Sequence, residues 1–288
     1  MFMPTPAYSV LRPVHQASPV IFASPHSGSA YNAAFLARSV LDERQIRSSE
    51  DAFVDRLFDC APEFGAVFLK AWAPRAFIDL NRSPDELDPA VIEGVERRGH
   101  NPRVASGLGV IPRVVANGRA IYRGKLSLAE AQARIDTYWR PYHRALRGLM
   151  EEAQARHGQA VLIDCHSMPH EAMNGVARYG MRRPDVVLGD RFGSSAGEDI
   201  VDQIETAFTG AGFVVARNTP FAGAFITQAY GRPSSGQHAV QIEIDRSLYM
   251  NEARIEPGVN FSDMQRTLRR VISELALIGQ DQVPLAAE

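Results

Sequence analysis

The sequence has 288 residues, 45% hydrophobic and 22% charged, the ordinary balance of a globular chain that can bury a sizeable core. A formal net charge of −2 argues against a nucleic-acid partner, while leaving room for a locally basic pocket. Two cysteines, Cys60 and Cys165, exclude a disulfide scaffold and fit a reducing cytoplasm, and no apolar run approaches the ~18 residues of a membrane span.

The first 18 residues are polar and Pro-rich and read as an arm over a single domain spanning 1–288, with no signal-peptide pattern. Pro19–Ala23 is a short apolar strand that stops at the turn formers Ser24-Pro25-His26-Ser27-Gly28. A short helix over 31–40 follows. Ser48 and Ser49 then cap a helix whose apolar positions are Phe53, Val54, Leu57 and Phe58, with Glu50 and Asp51 in its first turn. Strands are predicted at 66–71 and 75–80. Residues 84–119 lack periodicity and read as a surface excursion that could serve as a lid.

Leu126–His157 is strongly helical, with Ser127 as cap and Pro141 as a kink. Ala160–Cys165 is the clearest buried strand and ends at His166. A strand at 186–188, a helix at 198–209, a strand at 213–216 and a glycine-rich loop or hairpin at 221–236 come next. A strand at 239–244 and a helix at 261–278 complete the chain. This alternation predicts an α/β fold with a sheet covered by helices on both faces.

Three segments bring chemistry to strand ends or the loops beside them: His26, the Glu50-Asp51 pair and His166. Two histidines, one carboxylate and an open position make a catalytic zinc site, and loops converge at strand ends in such sheets. Each histidine taken alone is more often a hydrogen-bonded loop or core residue. Asp164 shares a strand face with His166 and could orient it. Glu243 lies in the apolar strand Gln241-Ile242-Glu243-Ile244, where an unpaired carboxylate is costly unless it works. It is the candidate general base beside a metal-activated water. Asp245 and Arg246 read as an ordinary ion pair. Arg82 and Arg75 could grip a carboxylate through the guanidinium fork, against the plainer reading that Arg82 pairs with Asp79 or Asp85. No G-x-S-x-G, Walker, G-x-G-x-x-G or H-E-x-x-H motif is present. Cys165 points to the strand face opposite His166 and reads as buried and inert.

Six segments in order now carry a resemblance: S-P-H-S-G (24–28), S-E-D-A-F-V-D-R-L (49–57), I-D-L-N-R (78–82), P-Y-H (141–143), L-I-D-C-H-S-M (162–168) and G-Q-H-A-V-Q-I-E-I (236–244). Over about 18–252 the chain resembles the N-formylglutamate amidohydrolase family, which looks like a distant relative of the zinc carboxypeptidases and aspartoacylases and implies a three-layer αβα fold with a mixed, mostly parallel central sheet, zinc-exopeptidase/phosphorylase-hydrolase-like. The resemblance implies one Zn2+ per chain on His26, Asp51 and His166, with Asp51 preferred over Glu50. The more distant relatives place a glutamate three residues after the first histidine, where this chain has Ser29. Glu243 is the implied base, and Asn81 with Arg82 the implied grip on the substrate carboxylate. His238 matches a family histidine near the scissile bond or the substrate carboxylate. The implied activity is hydrolysis of N-formyl-L-glutamate to formate and glutamate, the last step of one histidine degradation route. Rival readings are a deacylase or carboxypeptidase-like enzyme for another small anionic N-acyl amino acid, and a non-catalytic binding module. A homo-oligomer is left open.

Overall fold

The computed structural model describes residues 6–96, 101–174 and 182–280. Seven strands form one sheet: β1 (Tyr8–Leu11), β2 (Val20–Ser24), β3 (Val67–Ala71), β4 (Ala160–Met168), β5 (Val186–Gly189), β6 (Val215–Arg217) and β7 (Gln237–Asp245), in the order β1-β3-β2-β4-β7-β5-β6. Strands β3, β2, β4 and β7 run parallel, β1 is antiparallel to β3, and β5 is antiparallel to β7. The helices are α1 (Ala33–Arg38), α2 (Glu43–Ile46), α3 (Val54–Leu57), α4 (Pro102–Ala105), α5 (Leu128–Arg134), α6 (Arg140–His157), α7 (Glu198–Gly210), α8 (Phe225–Tyr230) and α9 (Phe261–Leu275).

Both faces of the central strands are covered, which is why β2 and β4 are buried along their whole length. One face packs Phe22, Ile163 and Ile242 against α3, α7 and α9. The other packs Ile21, Leu162 and Ala239 against α6 and α8. This is the predicted three-layer αβα arrangement around a mixed, mostly parallel sheet. Among the described residues no helix is long and apolar enough to cross a membrane.

Several elements differ from expectation. Residues 75–80 form no strand: the amides of Phe77 and Ile78 both return to the carbonyl of Pro74, closing a turn. Ile78, Asp79 and Leu80 are all buried, so this short apolar run with one carboxylate reads like a buried strand although it is a turn pressed against the core. The helix predicted from Ser48 is interrupted where Phe53 takes φ 67°, so only Val54–Leu57 is helical there. The N-terminal arm contributes β1 to the sheet edge, and 221–236 contains α8. The strand expected at 213–216 lies at Val215–Arg217. The excursion at 84–119 buries Val91, Ile92, Val110 and Ile111 in the α6 layer, so it is anchored to the core. Ser127 caps α5 by accepting from the amide of Glu130, as predicted. In place of a simple proline kink at Pro141, a π-helical turn at Ile135–Trp139 joins α5 to α6.

Candidate metal centre and active site

The sheet delivers its polar residues to the carboxyl ends of the parallel strands, where loops diverge. His26 follows β2. The loop that carries it lies so close to the segment after β3 that a Cβ on Gly28 would sit 2.3 Å from the carbonyl of Ala73. His166 lies in β4, in register with Glu243 on the neighbouring β7. Asp51 precedes α3, and its amide donates to the carbonyl of His26.

His26, Asp51 and His166 are all buried, and one ligand atom from each lies within 4.8 Å of the others. Asp51 Oδ2 is 2.9 Å from His166 Nδ1 and 3.5 Å from His26 Nδ1. The outer ring nitrogens meet other carboxylates: His26 Nε2 lies 2.7 Å from Asp79 Oδ1 and His166 Nε2 3.0 Å from Asp164 Oδ2. Each imidazole thus has a carboxylate behind it, which sets its tautomer and makes the inner nitrogen a better donor. His26 Nδ1 is buried without a hydrogen-bond partner among the described residues. An orphaned imidazole nitrogen facing a carboxylate oxygen and a second imidazole nitrogen fits a divalent metal such as zinc.

The electrostatics agree with this fit. Burial opposes charge on Asp51, yet His166, hydrogen-bonded to it, and His26 beside it hold its carboxyl well below the usual range. Burial also opposes charge on His166, but Asp164 and then Asp51 hold its proton, raising it well above an ordinary histidine. Asp79 is held well below the carboxylate range in spite of burial, by His26 and Arg75. Burial raises Glu243 to about 7. Glu243 Oε1 accepts from Gln241 Nε2 at 2.7 Å, and its other oxygen has no partner among the described residues.

The remaining candidates divide. Glu50 is turned away, held by Nε and Nη2 of Arg47 at 3.0 Å and by the Tyr31 hydroxyl. Arg75 Nε donates to Asp79 Oδ2 at 3.1 Å, leaving its terminal nitrogens without partners among the described residues. Arg82 is buried, with Nε on the carbonyl of Leu108 and Nη1 on that of Asn81. Asn81 is engaged at both ends of its amide, donating to Asp164 and accepting from the amide of Ile226. His238 is not brought to the cluster. It lies at the start of β7, about 16 Å of strand from Glu243, on the opposite face, and its Nδ1 accepts from the amide of Gly197.

Three participants escaped the sequence reading. Asp79, which with Asp85 is the plainer partner for Arg82 on sequence grounds, bridges His26 and Arg75. Arg246 pairs with Asp51 Oδ1 at 2.9 Å and not with Asp245, which meets His170 instead. Gln241 was legible in principle, because i and i+2 residues share a strand face.

Fold and site together define a three-layer α/β protein with a buried histidine–carboxylate centre able to hold one metal ion. The profile of the N-formylglutamate amidohydrolase family matches residues 18–250, and the chain belongs to that family. N-formylglutamate deformylase of Pseudomonas aeruginosa is 30% identical, over 89% of this chain and 91% of that protein. The deformylase of Pseudomonas putida is 27% identical, over 89% and 90% respectively. A solved N-formylglutamate amidohydrolase from Ralstonia eutropha JMP134 is 36% identical and superposes with a TM-score of 0.87, covering 93% of this chain and 96% of that one.

Proposed function

We propose that this protein is a zinc-dependent amidohydrolase that cleaves N-formyl-L-glutamate to formate and L-glutamate. The observation that carries the reading is the orphaned, buried Nδ1 of His26 facing Asp51, with carboxylates behind both histidines and Glu243 in register with His166. The names of the relatives support the choice of substrate.

His26, Asp51 and His166 would hold the ion. When bound, zinc would acidify water and polarise the formyl oxygen. The chain's own residues do the rest. The unengaged oxygen of Glu243 takes a proton from the attacking water as the new C–O bond forms. A carboxyl near pH 7 can accept that proton and then give it up. Glu243 passes it to the nitrogen as the C–N bond breaks, so the amine leaves neutral. The terminal nitrogens of Arg75 offset charge developing on the formyl oxygen. Arg82 holds the amino acid carboxylate through its remaining Nη2, which fixes the amide beside Glu243. Asn81 ties this arm to β4 and α8.

The test is metal analysis joined to an assay of the released amino acid on a panel of N-formyl and other N-acyl amino acids. The expected result is about one zinc per chain, by the three-ligand logic of such sites, with fastest release from N-formylglutamate. Full activity in a metal-free preparation would overturn the metal assignment. Faster release of another acyl group would overturn the substrate.

A further inference from the structure

The segment from Pro74 to Arg82 carries Arg75, Asp79, Asn81 and Arg82, yet it is not a strand and has no ladder of its own. Its buried carbonyls still need donors. Three of them receive side-chain N–H groups from one helical stretch. Arg134 Nη1 donates to the carbonyl of Phe77 at 3.0 Å, His143 Nε2 to that of Leu80 at 2.8 Å, and Trp139 Nε1 to that of Arg82 at 2.9 Å. Arg134 also lies 4.0 Å over the ring of Phe77, and the Trp139 and His143 rings pack at a 30° tilt with centres 3.9 Å apart.

The spacing is the informative part. Arg134 and Trp139 are five apart, and five residues of regular α-helix end about 140° round from where they began. The two side chains would then face different neighbours. Between them lies the π-helical turn Ile135–Trp139, whose i→i+5 closure absorbs one extra residue and returns Trp139 towards the azimuth of Arg134. Regular α6 then carries His143 four residues on, to the same side. Burial keeps His143 neutral, down at about 4, and Tyr230 occupies its Nδ1 at 2.9 Å, so Nε2 is held as the donor.

We infer that Trp139 and His143, set in register with Arg134 by the π-helical turn, are positioning residues that hold the Leu80 and Arg82 carbonyls and so aim Asn81 and Arg82 at the substrate. Trp139 and His143 bracket Asn81, one carbonyl on either side. Arg82 has no freedom to compensate, because two of its three nitrogens are already committed to carbonyls. The inference deepens the reading of Arg82 as the carboxylate grip and rests on it.

The test compares N-formylglutamate with its α-carboxamide, which lacks the charge that Arg82 would hold. Trp139→Phe removes one N–H and keeps a stacking ring. It should raise KM for the acid on the order of tenfold, the worth of about one hydrogen bond. Bound zinc and kcat/KM for the carboxamide should stay within about twofold, since nothing else has been removed. His143→Gln, which can keep an N–H at the same reach, should retain the preference for the acid, and His143→Leu should lose it. Equal loss on both substrates, or none on either, would overturn the inference. The preference is a ratio within one preparation, so a smaller folded fraction does not mask it. Arg82→Ala in the same panel separates the two levels. If Arg82→Ala fails to discriminate acid from carboxamide, the reading of Arg82 falls. If Arg82→Ala discriminates and Trp139→Phe does not, the positioning role falls alone.

Discussion

Replacing Asp79 with asparagine keeps its shape and removes its charge. Asp79 Oδ1 takes His26 Nε2 at 2.7 Å and the amide of Asn81 at 2.8 Å, while Oδ2 takes Arg75 Nε at 3.1 Å. In Asp79→Asn one of these positions becomes an NH2. If the amide oxygen stays with His26 and Asn81, the NH2 meets Arg75 donor to donor. If it turns, the NH2 meets His26 and the Asn81 amide. Either way at least one charge-assisted hydrogen bond is lost, about 1.5–3 kcal/mol. Part of that loss falls on the metal centre, because an imidazole no longer backed by an anion is a weaker donor at Nδ1. Losses of this kind weaken metal binding 10–100-fold, or about 1.4–2.7 kcal/mol. Zinc affinity measured by competition with a chelator at fixed pH should fall by that factor. Excess zinc should restore occupancy but not full formate release, because Arg75 has lost its anchor. Zinc affinity within twofold of the parent would refute the idea that Asp79 tunes His26.

Other outcomes are expected from the same geometry. Glu243→Gln should keep zinc but lower kcat by roughly 10²–10⁴, the usual loss of a general base; retained turnover would remove Glu243 from that role. Zinc binding to metal-free protein at neutral pH should release about one proton, because Asp164 and Asp51 keep His166 protonated until a metal replaces the Nδ1 proton. Calorimetry in two buffers of different ionisation enthalpy reads this number, and no release would mean that His166 is already neutral. Cys165 is buried, with its thiol pushed well up by burial, so a thiol reagent should leave it unmodified until the protein unfolds. Modification of Cys165 in native protein, located by peptide mapping, would show that β4 opens.

The fold was legible where the pattern is local. Apolar runs bounded by turn formers marked β2, β4 and β7, and capping marked α5. The 75–80 segment misled, because the burial of Ile78, Asp79 and Leu80 arises there from a turn pressed against the core. A short apolar run reports burial, and burial has more than one cause. The π-helical turn left no signal in the apolar pattern, since one inserted residue only shifts a face that is broad on both sides.

Residue chemistry put His26, His166 and Glu243 forward as candidates, because two imidazoles and a carboxylate can make a zinc site and a carboxylate in an apolar strand is costly unless it works. It left Glu50 and Asp51 undivided, since neighbours in one turn look alike until their partners are known. Tertiary structure sends Glu50 to Arg47 and Tyr31 and Asp51 to both histidines. It also separates His238 from the cluster, through strand polarity and face, and gives Asp79 and Arg246 their partners across long stretches of chain. The sequence by itself determined which atoms could bind a metal or move a proton, because those capacities belong to side chains. Which of those atoms meet was decided only by the sheet order and the loops, because hydrogen bonds and metal ligation act over about 3 Å, and nothing in the linear spacing sets that distance.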